Sequence, residues 1–520
     1  MIQITAAPSG AKIDDKFSVW VRQGNEEWQP LSVYVALTPN GVSNWIEIPD
    51  EIYQEFDGLT HGTVAEKTYV ASFAFDGEVE VRVRFNETVE KFDVKPQGSV
   101  TCKQNENELQ FTINKPCKLD IEPDGDILGC LHLFADALKE FDASGYENVI
   151  YFEKGYHTTE NNPNIVYNEH GFPVVANIKD NTLIYAEQGA VVCAVVEIVH
   201  ASHVKVAGHG IFSLLDRCYG AEEDFNVPVL HGGFREFALP SIYVHAGCED
   251  IIFQDVTLFC EFRGISIRNA KNILIDNVKM FSHAVNGDGI NGINVCDMEV
   301  KNCYVHSSDD SFALFTSVDS ITTLYDAPED TWEPHVSNIT MHDCILWTNA
   351  RPFMIGGHAT NCKEPHDVIE NIKVYDCEIV GVDSDITGGA SYEQREYWSG
   401  VYRILSQSEQ FIRNIYFENI RFDWTRGFEG KPIHIEVRDG KTVSYSETGG
   451  GYRIENVTFK DIQFINTPAE RMPILIKSVE CEDELYGVDH ILFDNISFDG
   501  HKLSEKEILN IGNVFNTHII

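Results

Sequence analysis

Positive charge is scarce in this chain: 39 lysines and arginines stand against 81 aspartates and glutamates, a formal net charge of −42. Phosphate backbones are gripped by clustered Lys and Arg, so the balance excludes a nucleic-acid partner and disfavours a polyanionic ligand unless a local basic pocket supplies the missing charge. Long apolar runs are also missing. The most apolar stretch, Ala190 to Val196, is broken by Glu197, and nothing reaches the length of a membrane span, so no membrane partner is expected. The amino terminus, Met1-Ile-Gln-Ile-Thr-Ala-Ala-Pro8, has neither the basic start nor the apolar centre of a secretory leader. The 13 cysteines are odd in number and lack paired spacing. They read as reduced thiols, which gives a cytoplasmic location as the expectation, or a secreted one if the chain is a processed form. No cofactor and no metal are expected.

What is present is a repeat: apolar, any, apolar, any, Asp or Asn, then Val, Cys or Ile. It occurs as Ile251-Ile-Phe-Gln-Asp-Val, Ile273-Leu-Ile-Asp-Asn-Val, Met298-Glu-Val-Lys-Asn-Cys, Ile339-Thr-Met-His-Asp-Cys and Ile372-Lys-Val-Tyr-Asp-Cys. Further copies start at Ile415, Val457 and Ile491, and a degenerate one at Val204. Steps between starts run from 22 residues (251 to 273) to 43 (372 to 415). Period-two alternation marks each copy as a strand with one buried face. Units of this length repeated along a chain mean a solenoid. Strand-only units with Asp or Asn at a fixed turn position, where the side chain bonds local backbone and tolerates the left-handed region, predict a right-handed parallel β-helix with a stacked Asn/Asp ladder. Cys303, Cys344 and Cys377 share one repeat position and read as a buried stack of small side chains.

Before about residue 125 the repeat is absent. Alternating segments at Phe17–Val21, Ser32–Leu37 and Val79–Phe85, separated by turn residues, predict an antiparallel β-sandwich. The expected division is therefore 1–125 sandwich and 126–520 β-helix. Apolar residues at Phe134, Leu138 and Phe141 predict a short helix over 131–141 capping the open end of the solenoid.

A second strand follows in each repeat. Aligned, these strands begin Arg263-Gly-Ile, Asp288-Gly-Ile, Asp310-Ser-Phe, Arg351-Pro-Phe and Lys431-Pro-Ile. Neighbouring strands lie about 4.8 Å apart, so the alignment puts Arg263, Asp288, Asp310 and Arg351 in one outward-facing column. Asp309 precedes Asp310 at the bend. Like charges this close cannot all ionise at neutral pH, so at least one carboxyl keeps its proton. One protonated and one ionised carboxyl are what glycosidic hydrolysis needs: the first donates to the leaving oxygen, the second activates water or attacks.

Asn286-Gly-Asp-Gly289 followed by Ser308-Asp-Asp310 resembles the Asn-Thr-Asp and Asp-Asp motifs of glycoside hydrolase family 28, the polygalacturonases. It also resembles family 49, the dextranases and isopullulanases. The family 28 likeness weakens beyond the acids: Gly356-Gly-His358 falls after its strand, and Tyr402-Arg-Ile-Leu405 resembles an Arg-Ile-Lys element with the lysine lost. Family 49 is similar in its N-terminal sandwich, its neutral α-glucan substrates and an aromatic strand like Trp347-Thr-Asn-Ala-Arg-Pro-Phe353. The resemblance implies an inverting glycosidase in which Asp309 is the proton donor and Asp288 and Asp310 position and deprotonate the water.

Substrate contacts are expected from Asn286, Arg351, His358, Arg403 and Arg263, and from the aromatic faces of Trp347 and Trp398. The expected partner is a neutral α-linked oligo- or polysaccharide. Competing readings are a uronate-directed hydrolase, a calcium-dependent lyase and a non-catalytic binding module.

Overall fold

The computed structural model describes residues 1–39, 46–47, 61–62, 65–169, 171–215, 240–283, 287–316, 335–357, 367–382, 400–407, 410–424, 428, 430–438, 451–480 and 485–520. Strands dominate it, and among the described residues no helix is long and apolar enough to cross a membrane.

The N-terminal region is a β-sandwich. One sheet orders Ile2–Gln3, Ala65–Phe75, Leu131–Ala137, Cys117–Pro123 and Phe92–Lys95, with Tyr34–Pro39 also paired to Ala65–Phe75. The other orders Lys103–Asn105, Glu108–Ile113, Val79–Phe85, Phe17–Arg22 and Gln29–Leu31. Alternate residues such as Phe17, Val19, Val21, Val79, Val81 and Val83 meet between the sheets. The segment expected as a capping helix is instead the strand Leu131–Ala137, paired with Ala65–Phe75 and Cys117–Pro123. A junction at residue 125 therefore falls too early. The reason is burial on both faces: Leu131, Leu133 and Ala135 face the sandwich core, while Phe134 faces the solenoid. A doubly buried strand loses the alternation that identifies one.

The rest of the chain is a right-handed parallel β-helix. Its coils begin at Asn148–Phe152 and stack in register to Thr517–Ile519. The Asp or Asn of every repeat copy lies in the left-handed region: Asp255, Asn277, Asn302, Asp343, Asp376, Asn419, Asp461 and Asn495 have φ between 50° and 67°. A second ladder, not read from the sequence, precedes the same strands. Asp250, Asn272, Asp297, Asn338, Asn371 and Asn414 have φ of 55° to 58°. Side chains bond from coil to coil within it, as in Asn272 to Asp250 at 3.1 Å and Asn338 to Asp297 at 2.9 Å. Cys303, Cys344 and Cys377 are buried in one stack, and the Cys303 amide donates to Cys344 Sγ.

The sandwich grips the outer face of the coils that lead into the acidic motif. Phe134 packs on Phe281 and Tyr304. The Tyr304 hydroxyl donates to Asp120 Oδ1 at 2.8 Å, and His132 Nδ1 lies 2.7 Å from the same oxygen. Asp136 takes Lys279 Nζ at 2.7 Å and Asn277 Nδ2 at 2.9 Å. Burial opposes the charge on Asp136, but Lys279, with His209 and Lys118, holds its carboxyl well below the usual range. His209 thus belongs to this junction, and its turn needs glycine: Gly208 has φ +106°, and a Cβ there would meet Ala186 O at 2.1 Å.

Breaking this buried pair strands a charge. Asp136→Ala is expected to lose about 3–5 kcal/mol in chemical denaturation. The double variant Asp136→Leu/Lys279→Met should recover most of it. A loss below about 1 kcal/mol in the single variant would contradict the account.

Candidate active site

The third strand of each coil forms a ten-stranded parallel sheet, and its register decides where the acids lie. Ile265, Ile290, Phe312, Phe353, Tyr402 and Ile433 are successive partners. The backbone continues the ladder one step earlier: Gly264 N donates to Asp288 O, Gly289 N to Asp310 O and Ser311 N to Arg351 O. Arg263, Asp288, Asp310 and Arg351 are therefore neighbours on consecutive coils, in the order aligned from the sequence. Gly289 lets the coils close at this point, since a Cβ there would meet Val305 Cγ1 at 2.2 Å and Ser311 O at 2.6 Å.

Asp309 sits at the bend before the strand. Its carbonyl accepts from Ser307 Oγ at 2.7 Å and from Thr348 Oγ1. Its Oδ1 accepts the Asp310 amide at 2.9 Å. Arg351 spans both members of the acid pair. Its Nε and Nη2 engage Asp310 Oδ1 and Oδ2, the latter at 3.0 Å, and Nη2 reaches Asp309 Oδ1 at 3.3 Å. Asp288 Oδ2 accepts Asn291 Nδ2 and has Arg263 Nε at 3.6 Å. Among the described residues nothing donates to Asp288 Oδ1 or Asp309 Oδ2. Asp288 and Asp310 are 5% and 3% exposed, whereas the Asp309 side chain is 24% exposed and is the most open of the three.

Burial pushes Asp288 up to about 6, aided by Asp309 and opposed by Arg263, Asn291 and Arg351. Burial likewise pushes Asp310 upward against the pull of Arg351, with Asp309 and Asp288 adding to the rise. Asp288 and Asp310 thus both hold their protons above the ordinary carboxylate range.

Of the expected contacts, Arg263 and Arg351 are in the cluster. Asn286, His358 and Trp398 lie outside the described residues. Trp347 is not a sugar platform. Its ring is buried against Ile127 and Val380 and packs tilted on His306 at 3.9 Å between centroids. Alternation does send it outward, but on the face that the sandwich covers. Arg403 is not brought to the acids either. It lies two strands beyond Asp310 and in register with Ala313, roughly 14 Å away, fully buried, with Nη2 on Glu436 Oε2 at 2.6 Å. Sequence reasoning missed Asn291 and Arg268, whose Nη1 donates to Asn291 Oδ1 at 2.7 Å. The available signal was a run of polar residues (Ser266, Arg268, Asn291) at outward positions of strands expected to be apolar. Among the described residues no cluster of His, Cys, Asp and Glu is arranged to hold a metal ion.

No family model matches the sequence, and no curated protein matches it closely. Solved structures do. Dex49A from Penicillium minioluteum is 13% identical, with 100% of this chain and 96% of that chain covered, at a TM-score of 0.59. The family 28 exopolygalacturonase of Yersinia enterocolitica is 10% identical over 86% of this chain and 96% of that one, at 0.46. At that TM-score and coverage the chain shares its fold with Dex49A along its whole length.

Proposed function

We propose that this chain is an inverting glycoside hydrolase acting on an α-linked neutral glycan of the dextran or pullulan kind. The observation that carries the reading is the pattern of occupied and open oxygens. Both oxygens of Asp310 are taken by Arg351, while Asp288 and Asp309 each keep one oxygen without a donor among the described residues. Two open carboxyl oxygens on adjacent coils supply one acid and one base. Asp309, the more exposed, gives its proton to the leaving glycosidic oxygen. Asp288 Oδ1 takes a proton from the water that attacks the anomeric carbon from the other side. The bond from that carbon to the leaving oxygen breaks as the bond to water forms, and the proton gained by Asp288 replaces the one Asp309 has lost. Asp310 keeps Arg351 in place, and Arg351 steadies Asp309 and offsets the charge on the cluster.

A neutral substrate is supported by the charge balance. The arginines on which a uronate site would draw, Arg351 and Arg403, are each already engaged with carboxylates. A hydrolase of uronate-containing oligosaccharides is the alternative, and a panel of neutral and acidic glycans assayed for reducing-end release decides between them. Release from uronate chains alone would overturn the neutral reading.

On the substrate so found, Asp309→Asn should lower kcat by about 10²–10⁴-fold with its melting temperature little changed. Near-normal turnover would remove Asp309 as donor. Because the base must be ionised, kcat/KM should rise with pH through about 6. The same shift has a consequence for stability. Asp288 has a folded-state pKa above its unfolded value, so its contribution is most favourable below about pH 4 and is lost as pH rises toward about 6, roughly 3 kcal/mol at most. Asp288→Asn should lack that decline. Parallel pH–stability curves for the two proteins would contradict the raised pKa.

A further inference from the structure

We propose that Asn291 and Arg268 form a positioning relay that reserves Oδ1 of Asp288 for the attacking water, an inference that rests on the hydrolytic reading above. Asn291 is the next outward residue after Asp288 on its strand, and Arg268 lies on the preceding coil as the register partner of Ile293. Each is 1% exposed. A guanidinium only donates, so the atom of Asn291 that meets Arg268 Nη1 at 2.7 Å is the amide oxygen. The amide nitrogen then has one direction left, toward Asp288 Oδ2, and it donates there. Arg268 thereby prevents the amide from flipping. A flipped amide would set its oxygen against a carboxylate.

The relay gives the two oxygens of Asp288 different work. Oδ2 is held by Asn291 and approached by Arg263, whereas among the described residues Oδ1 has no donor. Arg268 is itself an unfavourable residue to bury. It makes no ion pair among the described residues; its Nη1 rests on the Ile267 carbonyl and on Asn291, its Nε has no acceptor, and the Tyr243 hydroxyl is a further side-chain partner. Burial pulls its pKa down to about 10, and Tyr243 and then Asp288 act against that pull. A buried cation without a carboxylate partner is unfavourable, and here its direction toward Asn291 serves Asp288 through the amide. Among the described residues the charged groups acting with Asp288 are Arg263 and Arg268 from the preceding coil, Asp309 and Asp310 from the next, and Arg351 beyond them.

Asn291 donates to the ionised form of Asp288, so its loss should make that carboxyl harder to ionise. The test is an infrared titration of the protonated carboxyl band of Asp288, recognised by its absence in Asp288→Asn. The midpoint should move upward by about half a pH unit or more in Asn291→Leu and in the same direction in Arg268→Met. It should stay at the wild-type pH in Arg268→Lys, which keeps a charge and a donor. The acid limb of kcat/KM should follow the midpoint, with kcat down about 10–100-fold and KM changed little. If Asn291→Leu does not fold, Asn291→Ser, which is smaller than asparagine, carries the same expectation. An unmoved Asp288 midpoint in a folded Asn291 variant overturns the relay. A moved midpoint in a protein that cleaves no glycan upholds the relay and overturns the hydrolytic reading instead.

Discussion

In-register stacking of parallel coils is the constraint from which the site follows. Each coil can move neither along nor across its neighbours without turning its apolar residues outward, because side-chain direction alternates with every residue. Two ladders of left-handed Asp and Asn residues fix the corners, and the ten-stranded sheet fixes the face between them. Once Ile290 pairs with Phe312, Asp288 has to lie beside Asp310. Two carboxyls that would separate in a flexible loop are held together by the whole length of the solenoid. Dozens of buried contacts support that register, so the repulsion between them is tolerated rather than relaxed.

The arginines make the arrangement usable. A column reading Arg263, Asp288, Asp310, Arg351 alternates outer cations with inner anions and limits the repulsion. It does more than neutralise. Arg351 binds Asp310 through both oxygens and Asp309 through one, and Arg263 approaches one oxygen of Asp288. Charge is thus balanced by direction, and the unbound oxygens are what remains for chemistry. The sandwich contributes from behind. Its hold on Tyr304 and Lys279 steadies the strands that end at Ser307 and Ser282, and these residues lead into the bends that carry the acids.

Much of this was legible in the sequence because it depends on local pattern. The repeat fixed the strand, the Asp or Asn marked the left-handed corner, and aligning the first polar residue of each second strand put the column in the right order. What was not legible depends on which outer faces are covered. Trp347 and Asp310 both point away from the solenoid axis, but the first meets Ile127 of the sandwich and the second does not. Nothing local distinguishes the two. Leu131–Ala137 misled for the same reason, since burial on both faces erases alternation. Asn291 and Arg268 look solvent-facing when read alone; only their burial shows that each must find a partner, Asn291 in Asp288 and Arg268 in Asn291.

The proposed inverting mechanism requires Asp288 and Asp309 to work on opposite sides of one glycosidic bond. The anomer of the first-formed product, followed by proton NMR before mutarotation, tests this most directly. Hydrolysis of an α-linked glycan should release the β-anomer first. An α-anomer at early times would mean a carboxylate attacks in place of water, and would contradict the assignment of Asp288 as base.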